Sequence, residues 1–230
     1  MNTQSTQTII DAAKDGDLSL LISLHQQGKE WDENATCYAA KNGHLDCLRY
    51  LQEHNCPLHK DASFYAARDG HIDCLPYLHQ NGCSLDEDGI TEAAKRGHLE
   101  CLSYLHQNGC KWNNSAIKDA AYYAAFGGHL GCLIYLHENG CPWDASATKA
   151  SAERGHLDCL EYLMQQKCPY VLKEILLHLN THIRPSTIKF DNKHWLRDFL
   201  FPLVTSPDMP DFLKRICENQ IAVEKQATKQ

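Results

Sequence analysis

The sequence is rich in the two residue types that most often bind zinc, with 12 cysteines and 14 histidines among 230 residues. In the segment "GHLDCLRYLQEHNCP" of residues 43–57, His44 and Cys47 lie three positions apart, which places both side chains on one face of a helix. Thiolates and imidazoles are the usual ligands of structural Zn²⁺ sites. The pattern raises three hypotheses: a metal site, a disulfide framework, or buried side chains without chemistry.

Composition and charge narrow the classes of function. Hydrophobic residues make up 43% and charged residues 22% of the chain, as in ordinary folded proteins, and the net charge is −7. A nucleic-acid-binding protein normally carries a basic stripe, so we expect no nucleic-acid partner. The start "MNTQSTQTII" has no signal-peptide pattern, and no stretch approaches the roughly 20 apolar residues of a membrane span. We therefore expect a cytoplasmic protein with no membrane partner, whose cysteines are free thiols or metal ligands.

A repeated motif places most of these cysteines and histidines. The motif "GHLDCLRYL" of residues 43–51 returns in four close copies, and "GDLSLLISL" at 16–24 is a divergent copy. The interval between successive copies is 27 residues, except for one interval of 31. Such a period predicts a repeat architecture. We predict six repeats in residues 1–169, whose glycines are Gly16, Gly43, Gly70, Gly97, Gly128 and Gly155.

Each repeat is predicted to form two helices. The second helix follows the Gly-His pair, and its apolar positions cover more than half of its circumference, which requires packing on two sides. The first helix carries an Ala-Ala pair, such as Ala39-Ala40, that permits close helix approach, and the glycine caps its end. Its N-caps are predicted nine residues before each glycine. These positions are Gln7, Asn34, Asp61, Asp88, Asp119 and Ser146.

The unit "AAxxGHLxxLxYLxxxGC" resembles the ankyrin repeat over about residues 5–170. The resemblance implies an all-α solenoid and a non-enzymatic protein-protein interaction scaffold. The ankyrin repeat has about 33 residues, so a unit of 27 implies that the hairpin fingers are shortened or absent. Short, cysteine-rich repeats of this kind are similar to those of amoeba-infecting giant viruses and some protists. A viral source would place the protein in the host cytoplasm.

Residues 170–230 do not repeat. A stack of repeats exposes an apolar face at its end, so we predict that this segment is a helical C-terminal cap. An alternative comes from "CPYVLKEILLHL" at 168–179, which faintly resembles the opening of an F-box. That resemblance would make the chain a substrate adaptor of a ubiquitin ligase.

The repeat also weighs against metal and disulfide chemistry. Equivalent residues on neighbouring packed helices lie about 8–10 Å apart, whereas ligands of one zinc ion lie within about 4 Å of each other. We therefore expect no metal, no cofactor and no disulfides between neighbouring repeats, with the cysteines filling small buried gaps. Cys37 and Cys217 stand outside the cysteine columns and are candidates for exposed, reactive thiols. A metal- or redox-responsive repeat protein remains an alternative.

The expected function lies on the surface of the first helices. No GxSxG, HExxH, P-loop or GxGxxG motif is present, so we expect no catalytic residues and no enzyme. Five residues before each glycine lies the variable column of the first helices, and tyrosines in it are favoured interface anchors. The alternative is that these tyrosines only pad the neighbouring helix. We predict a protein partner and a monomeric chain that binds through Asp11, Tyr38, Tyr65, Glu92 and Tyr123.

One repeat has proline in its second helix. Pro76 takes the place of Arg49 and Ser103 in the neighbouring copies. Proline inside a helix removes a hydrogen bond and crowds the preceding turn. We therefore predict a bend in a helix over residues 72–80.

Overall fold

The computed structural model of the chain describes residues 8–110 and 116–170. In these residues it contains twelve α-helices and no β-strand. The chain divides into two compact units, residues 1–142 and 143–230. The first unit contains α1 (Ile9–Asp15), α2 (Leu18–Gln26), α3 (Glu33–Lys41), α4 (Leu45–Glu53), α5 (Ala62–Asp69), α6 (Cys74–Gln80), α7 (Asp88–Arg96), α8 (Leu99–Gln107), α9 (Ala116–Gly127) and α10 (Leu130–Glu138). The second unit contains α11 (Ala145–Arg154) and α12 (Leu157–Gln165).

The first helices end as the glycines predict. Gly70 has φ of 86°, in the left-handed region, and caps α5. The next backbone N–H, that of His71, donates to the carbonyl of Ala66 at 2.8 Å, which closes the helix end. The same bond from the residue after the glycine to the carbonyl five positions back recurs in all six repeats. This geometry confirms the predicted role of the glycine in the turn between the two helices.

The predicted N-cap column is mostly wrong by one or two residues. Asp61 caps α5 as expected, and Asp119 lies inside α9 rather than at its start. In α3 the cap is Asp32, whose carboxylate accepts the backbone N–H of Asn34 at 2.9 Å. The same two-residue shift occurs in α11, which Asp144 caps, whereas in α7 the N-cap is Glu87, one residue before the predicted position and without a side-chain cap bond. A carboxylate two residues before the predicted position reaches the free amides and suits the helix dipole better. In α1 the N-cap is Thr8 and not Gln7, which lies outside the described residues.

Pro76 does not lie in the middle of a helix over residues 72–80, contrary to the prediction. Most second helices begin at the leucine after the histidine, whereas α6 begins two residues later, at Cys74. Two hydrogen bonds between residues three apart replace the missing helical turn. They run from the Cys74 N–H to the His71 carbonyl and from the Leu75 N–H to the Ile72 carbonyl. Pro76 thus falls in the first turn of α6. Backbone N–H groups there have no intrahelical partner in any helix, so proline is tolerated.

Helices of consecutive repeats pack on each other. Within the first unit, α1 packs on α3, α3 on α5, α5 on α7 and α7 on α9, while α2 packs on α4 and α8 on α10. The Ala-Ala pairs of the first helices are fully buried in these contacts. Two leucines of each second helix fill the core, such as Leu102 and Leu105 in α8. No helix among the described residues combines the length and apolar character needed to cross a membrane.

Candidate functional site

The histidines of the Gly-His pairs are structural. The His44 Nε2–H donates to the carbonyl of Lys14 at 3.0 Å, and His129 makes the same bond to Lys95 at 3.1 Å. Each ring also lies against the glycine of the preceding repeat, where a Cβ atom added to Gly16 would come 2.5 Å from His44 Nδ1. Within the first unit, the imidazoles of His44, His71, His98 and His129 thus contact the repeat before their own. The described residues contain no group of three or more His, Cys, Asp or Glu side chains arranged to hold a metal ion.

The described cysteines are buried and unpaired with each other. Eleven are described, and all are free thiols. Burial raises the pKa of Cys56, Cys101 and Cys141 to about 12, so these thiols stay protonated at neutral pH. The Cys56 thiol lies 3.3 Å from the carbonyl of Asp32, to which it donates. Cys37, a candidate for an exposed thiol, is buried instead, and Cys217 lies outside the described residues.

Thiol labelling will test this account of the cysteines. We expect Ellman's reagent at pH 8 to label at most one of the 12 cysteines in the folded chain, because thiolates form too rarely in the buried columns. Unfolding in denaturant should release all of them. Because folding raises the pKa of the buried thiols above the ordinary 9.0, their contribution to stability should be constant below pH 9 and should be lost as pH rises beyond it. Rapid labelling of several thiols in the folded chain would contradict the account.

The predicted tyrosine column forms one connected surface with basic side chains. Tyr38 on α3, Tyr65 on α5 and Tyr123 on α9 are half-buried. The Lys41 ammonium lies 5.9 Å from the ring centroid of Tyr38 and 5.7 Å from that of Tyr65, so it bridges two repeats. Arg68 lies 4.8 Å from the Tyr65 centroid. Such distances are typical of cation–π contacts, which hold each ring in place.

Ion pairs continue this surface across α7. Glu92 pairs with Lys95 at 3.2 Å and with Arg96 at 3.7 Å, and Lys95 lies 5.0 Å from the ring centroid of Tyr123. Arg96 also reaches Asp69 at 3.6 Å, and Arg68 pairs with Asp69 at 2.8 Å. Burial alone would raise the pKa of Asp69, but the Arg68 hydrogen bond and the nearby cations outweigh it and lower that pKa. Four of the five predicted residues are therefore linked through cations.

The fifth predicted residue, Asp11, has a local role. Its carboxylate accepts hydrogen bonds from the backbone N–H of Thr8 at 2.9 Å and from the Thr8 hydroxyl at 2.7 Å. Thr8 in turn accepts the N–H of Asp11, which completes a capping box at the start of α1. The hydrogen bonds from Thr8 lower the pKa of Asp11. In the second unit, Ala150 holds the same repeat position and is fully buried.

A second set of contacts between repeats was not predicted. The Nδ1 atom of His25 lies 2.8 Å from the Tyr50 hydroxyl, and the same pairing joins His79 to Tyr104 at 3.2 Å. His106 and Tyr135 repeat it at 3.0 Å. Both columns are visible in the sequence as "YLH" copies, but only the offset between packed second helices shows that they meet. These tyrosines therefore serve the stack, unlike those of the first helices.

Hydroxyl groups buried in the first helices form further unpredicted contacts. The Thr36 hydroxyl donates to the carbonyl of Pro57 at 3.0 Å and accepts the N–H of His59 at 3.0 Å. Ser63 donates to the carbonyl of Ser84 at 2.6 Å. In these two repeats the bonds anchor the loop that follows the second helix to the first helix of the same repeat. In the described residues no buried side-chain nitrogen or oxygen lacks a partner.

Comparison with known proteins agrees with this architecture. A family model described as "Ankyrin repeats (3 copies)" matches residues 9–89, and one described as "Ankyrin repeats (many copies)" matches residues 90–137. The crystal structure of the human ASB11 ankyrin repeat domain is similar, with a TM-score of 0.60 and 23% sequence identity over 69% of this chain and 83% of that chain. No curated protein matches the sequence. Since the two models together span more than half of its residues, the chain belongs to the ankyrin-repeat family, whose repeats form protein-interaction scaffolds.

Proposed function

We propose that the chain binds a protein partner through the first-helix strip, which we define as Asp11, Tyr38, Tyr65, Glu92 and Tyr123. The observation that carries the proposal is the bridging of half-buried tyrosine rings by Lys41, Arg68 and Lys95 across consecutive repeats. Rings already held in place lose little conformational entropy when a partner binds. Tyrosine also offers a large contact area with a polar end, which favours it as an interface anchor.

The tyrosines of the two helix sets differ in how their hydroxyl groups are used. Tyr50 and Tyr104, on second helices, each have their hydroxyl hydrogen-bonded to a histidine of the preceding repeat. Within the described part of the chain, the hydroxyl groups of Tyr38, Tyr65 and Tyr123 have no such partner, and none of them is a buried unsatisfied atom. They can therefore accept or donate hydrogen bonds to a bound protein. This difference supports the first helices as the recognition surface.

The proposal includes the finer features expected from the sequence. The units are shortened ankyrin repeats, 27 residues apart except for one interval of 31, with hairpin fingers shortened or absent, similar to repeats of amoeba-infecting giant viruses and some protists. The chain acts as a non-enzymatic monomer in the cytoplasm, or in the host cytoplasm if it is viral, with no nucleic-acid partner. Buried free thiols support a reducing compartment. The six repeats of residues 1–169 precede the predicted cap of 170–230, and both the cap and the F-box-like segment lie largely outside the described residues.

Replacing Tyr38, Tyr65 and Tyr123 together by alanine tests the binding surface. We expect the triple variant to keep its helical circular dichroism spectrum and to lose partner proteins recovered by affinity purification from the native cell. Each interface tyrosine that acts as an anchor contributes about 2 kcal/mol or more, so three losses should reduce recovery beyond detection.

The matched control is Tyr77→Ala. Tyr77 is a half-buried tyrosine on a second helix, and the Arg49 guanidinium lies 5.8 Å from its ring centroid. It therefore has the same burial and the same kind of cation–π contact as Tyr65, but on a second helix. This variant should recover the same partners as the unchanged chain. Unchanged recovery by the triple variant would reject the strip as the binding site.

A further inference from the structure

We infer that the partner segment seated on the first-helix strip is an extended acidic peptide with carboxylates three residues apart, crossing α3, α5 and α7. The inference rests on the proposed function and names the chemistry of the partner. It follows from three observations: a row of cations lies along the strip, Lys41 in that row has no salt-bridge partner among the described residues, and the distance between successive first helices sets the spacing of the row.

The cations form a row in an otherwise acidic chain. The chain carries a net charge of −7, yet Lys14, Lys41, Arg68 and Lys95 occupy the same position, two residues before the glycine, in four consecutive repeats. Each lies in the last turn of its first helix. Across α3, α5 and α7 four cations lie along the strip, because Arg96 joins the row on α7, and all but Lys41 pair with two carboxylates, Asp69 and Glu92. The local excess of positive charge favours an acidic partner.

Lys41 is the cation of the row that is most available to bind a carboxylate of the partner. It forms no salt bridge with any residue that the structure describes, whereas Arg68 and Lys95 each have one. Its ammonium group lies between the rings of Tyr38 and Tyr65. The rings hold the cation and partly shield it from water, which strengthens its attraction for an incoming carboxylate. The two rings also provide flat apolar contacts on either side.

The spacing of the helices selects the spacing of the carboxylates. Neighbouring packed helices lie about 8–10 Å apart, so successive cations of the row are separated by about that distance. An extended or polyproline II chain advances roughly 3.1–3.3 Å per residue, so three residues cover about 9–10 Å. Polyproline II also has three residues per turn, which puts positions i, i+3 and i+6 on one side. A segment of the form Glu-x-x-Glu-x-x-Glu therefore matches Lys41, Arg68 and Lys95 in turn.

Prolines fit the positions between the carboxylates. Grooves lined by aromatic rings bind proline-rich segments because these chains are already extended and lose little entropy on binding. A single-stranded nucleic acid is the competing polyanion. A nucleic acid carries one phosphate charge per nucleotide, so some of its phosphates would lie close to the carboxylates of Asp69 and Glu92, which would repel them. The row therefore favours a peptide with spaced charges over a continuous polyanion.

Fluorescence anisotropy with the full chain and labelled peptides tests the inference. The first peptide has three Glu-Pro-Pro units, the second has the same composition with its three glutamates adjacent, and the third has Lys-Pro-Pro units. We expect the first to bind at least about tenfold more tightly than the second and third, since each matched charge contributes a separate contact. A double variant, Lys41→Glu with Arg68→Glu, should reverse the preference and bind the Lys-Pro-Pro peptide.

A second variant, with a single milder change, controls for misfolding of the double variant. Lys41→Gln removes the charge but keeps a polar, unbranched side chain, and it should weaken binding of the Glu-Pro-Pro peptide severalfold while leaving the helical spectrum unchanged. Equal binding of the spaced and adjacent glutamates, or tighter binding of an oligothymidine strand, would overturn the inference. If no peptide binds while the tyrosine triple variant still loses its cellular partners, the acidic segment is rejected and the proposed function stands. If the triple variant keeps those partners, the proposed function itself fails.

Discussion

Replacing Gly70 by alanine is expected to destabilise the chain by about 3 kcal/mol. Two effects add at this position. The backbone φ of 86° is one that side chains with a Cβ atom rarely adopt. The added Cβ would also lie 2.5 Å from His98 Nδ1, on a ring packed between repeats, so the histidine or the turn must move. Urea unfolding followed by circular dichroism measures the change as a shift in midpoint.

Gly82 provides the control for this substitution. Its φ of 87° equals that of Gly70, but nothing lies within 4 Å of a Cβ atom placed there. Gly82→Ala should therefore cost only the backbone strain, about 1 kcal/mol. The difference between the two variants isolates the contact between glycine and histidine of successive repeats. Equal destabilisation by both changes would show that this contact contributes nothing to the stack.

Replacing Leu102 by alanine should cost about 2–5 kcal/mol. Leu102 is fully buried in α8, a helix that packs on both α7 and α10. The shortened side chain leaves a cavity that surrounding helices can close only in part. In a repeat array the loss weakens the interfaces on both sides of the altered repeat. Urea unfolding again gives the measurement.

The control for Leu102 lies in the same helix. Leu99 begins α8 and is half-exposed, so Leu99→Ala should cost about 1 kcal/mol. Both variants remove the same atoms from residues of the same helix. A loss at Leu99 as large as that at Leu102 would contradict the assignment of Leu102 to the core.

The sequence alone predicts the repeats, the two helices in each and the burial of the cysteine columns, because each depends on patterns that recur along the chain. The glycine turn is predictable for the same reason, since Gly70 and its equivalents always precede the second helix. The exact helix starts are not, because a carboxylate two residues earlier, as at Asp32, can reach the free amides. Pro76 illustrates the same limit, since its effect depends on where α6 begins.

Contacts between repeats are harder to predict than the repeats themselves. The tyrosine column was visible in the sequence, but the reach of Lys41 to Tyr65 of the next repeat depends on the offset between packed helices. The pairing of His79 with Tyr104 depends on the same offset on the second helices. Neither offset is encoded in residue spacing along one repeat. The spacing of packed helices also separates residues that recur along the chain, and among the described residues no three His, Cys, Asp or Glu side chains are arranged to hold a metal ion.

A photo-crosslinking experiment tests the central claim most directly. A photoreactive phenylalanine derivative replaces Tyr65 in one variant and Tyr77 in another, and each is irradiated in the native cell. The two positions are tyrosines of similar exposure on the first and second helices of the same repeat. We expect the variant at Tyr65 to form a discrete protein adduct that the variant at Tyr77 does not form. An adduct at Tyr77 with none at Tyr65 would contradict the assignment of the first helices as the binding surface.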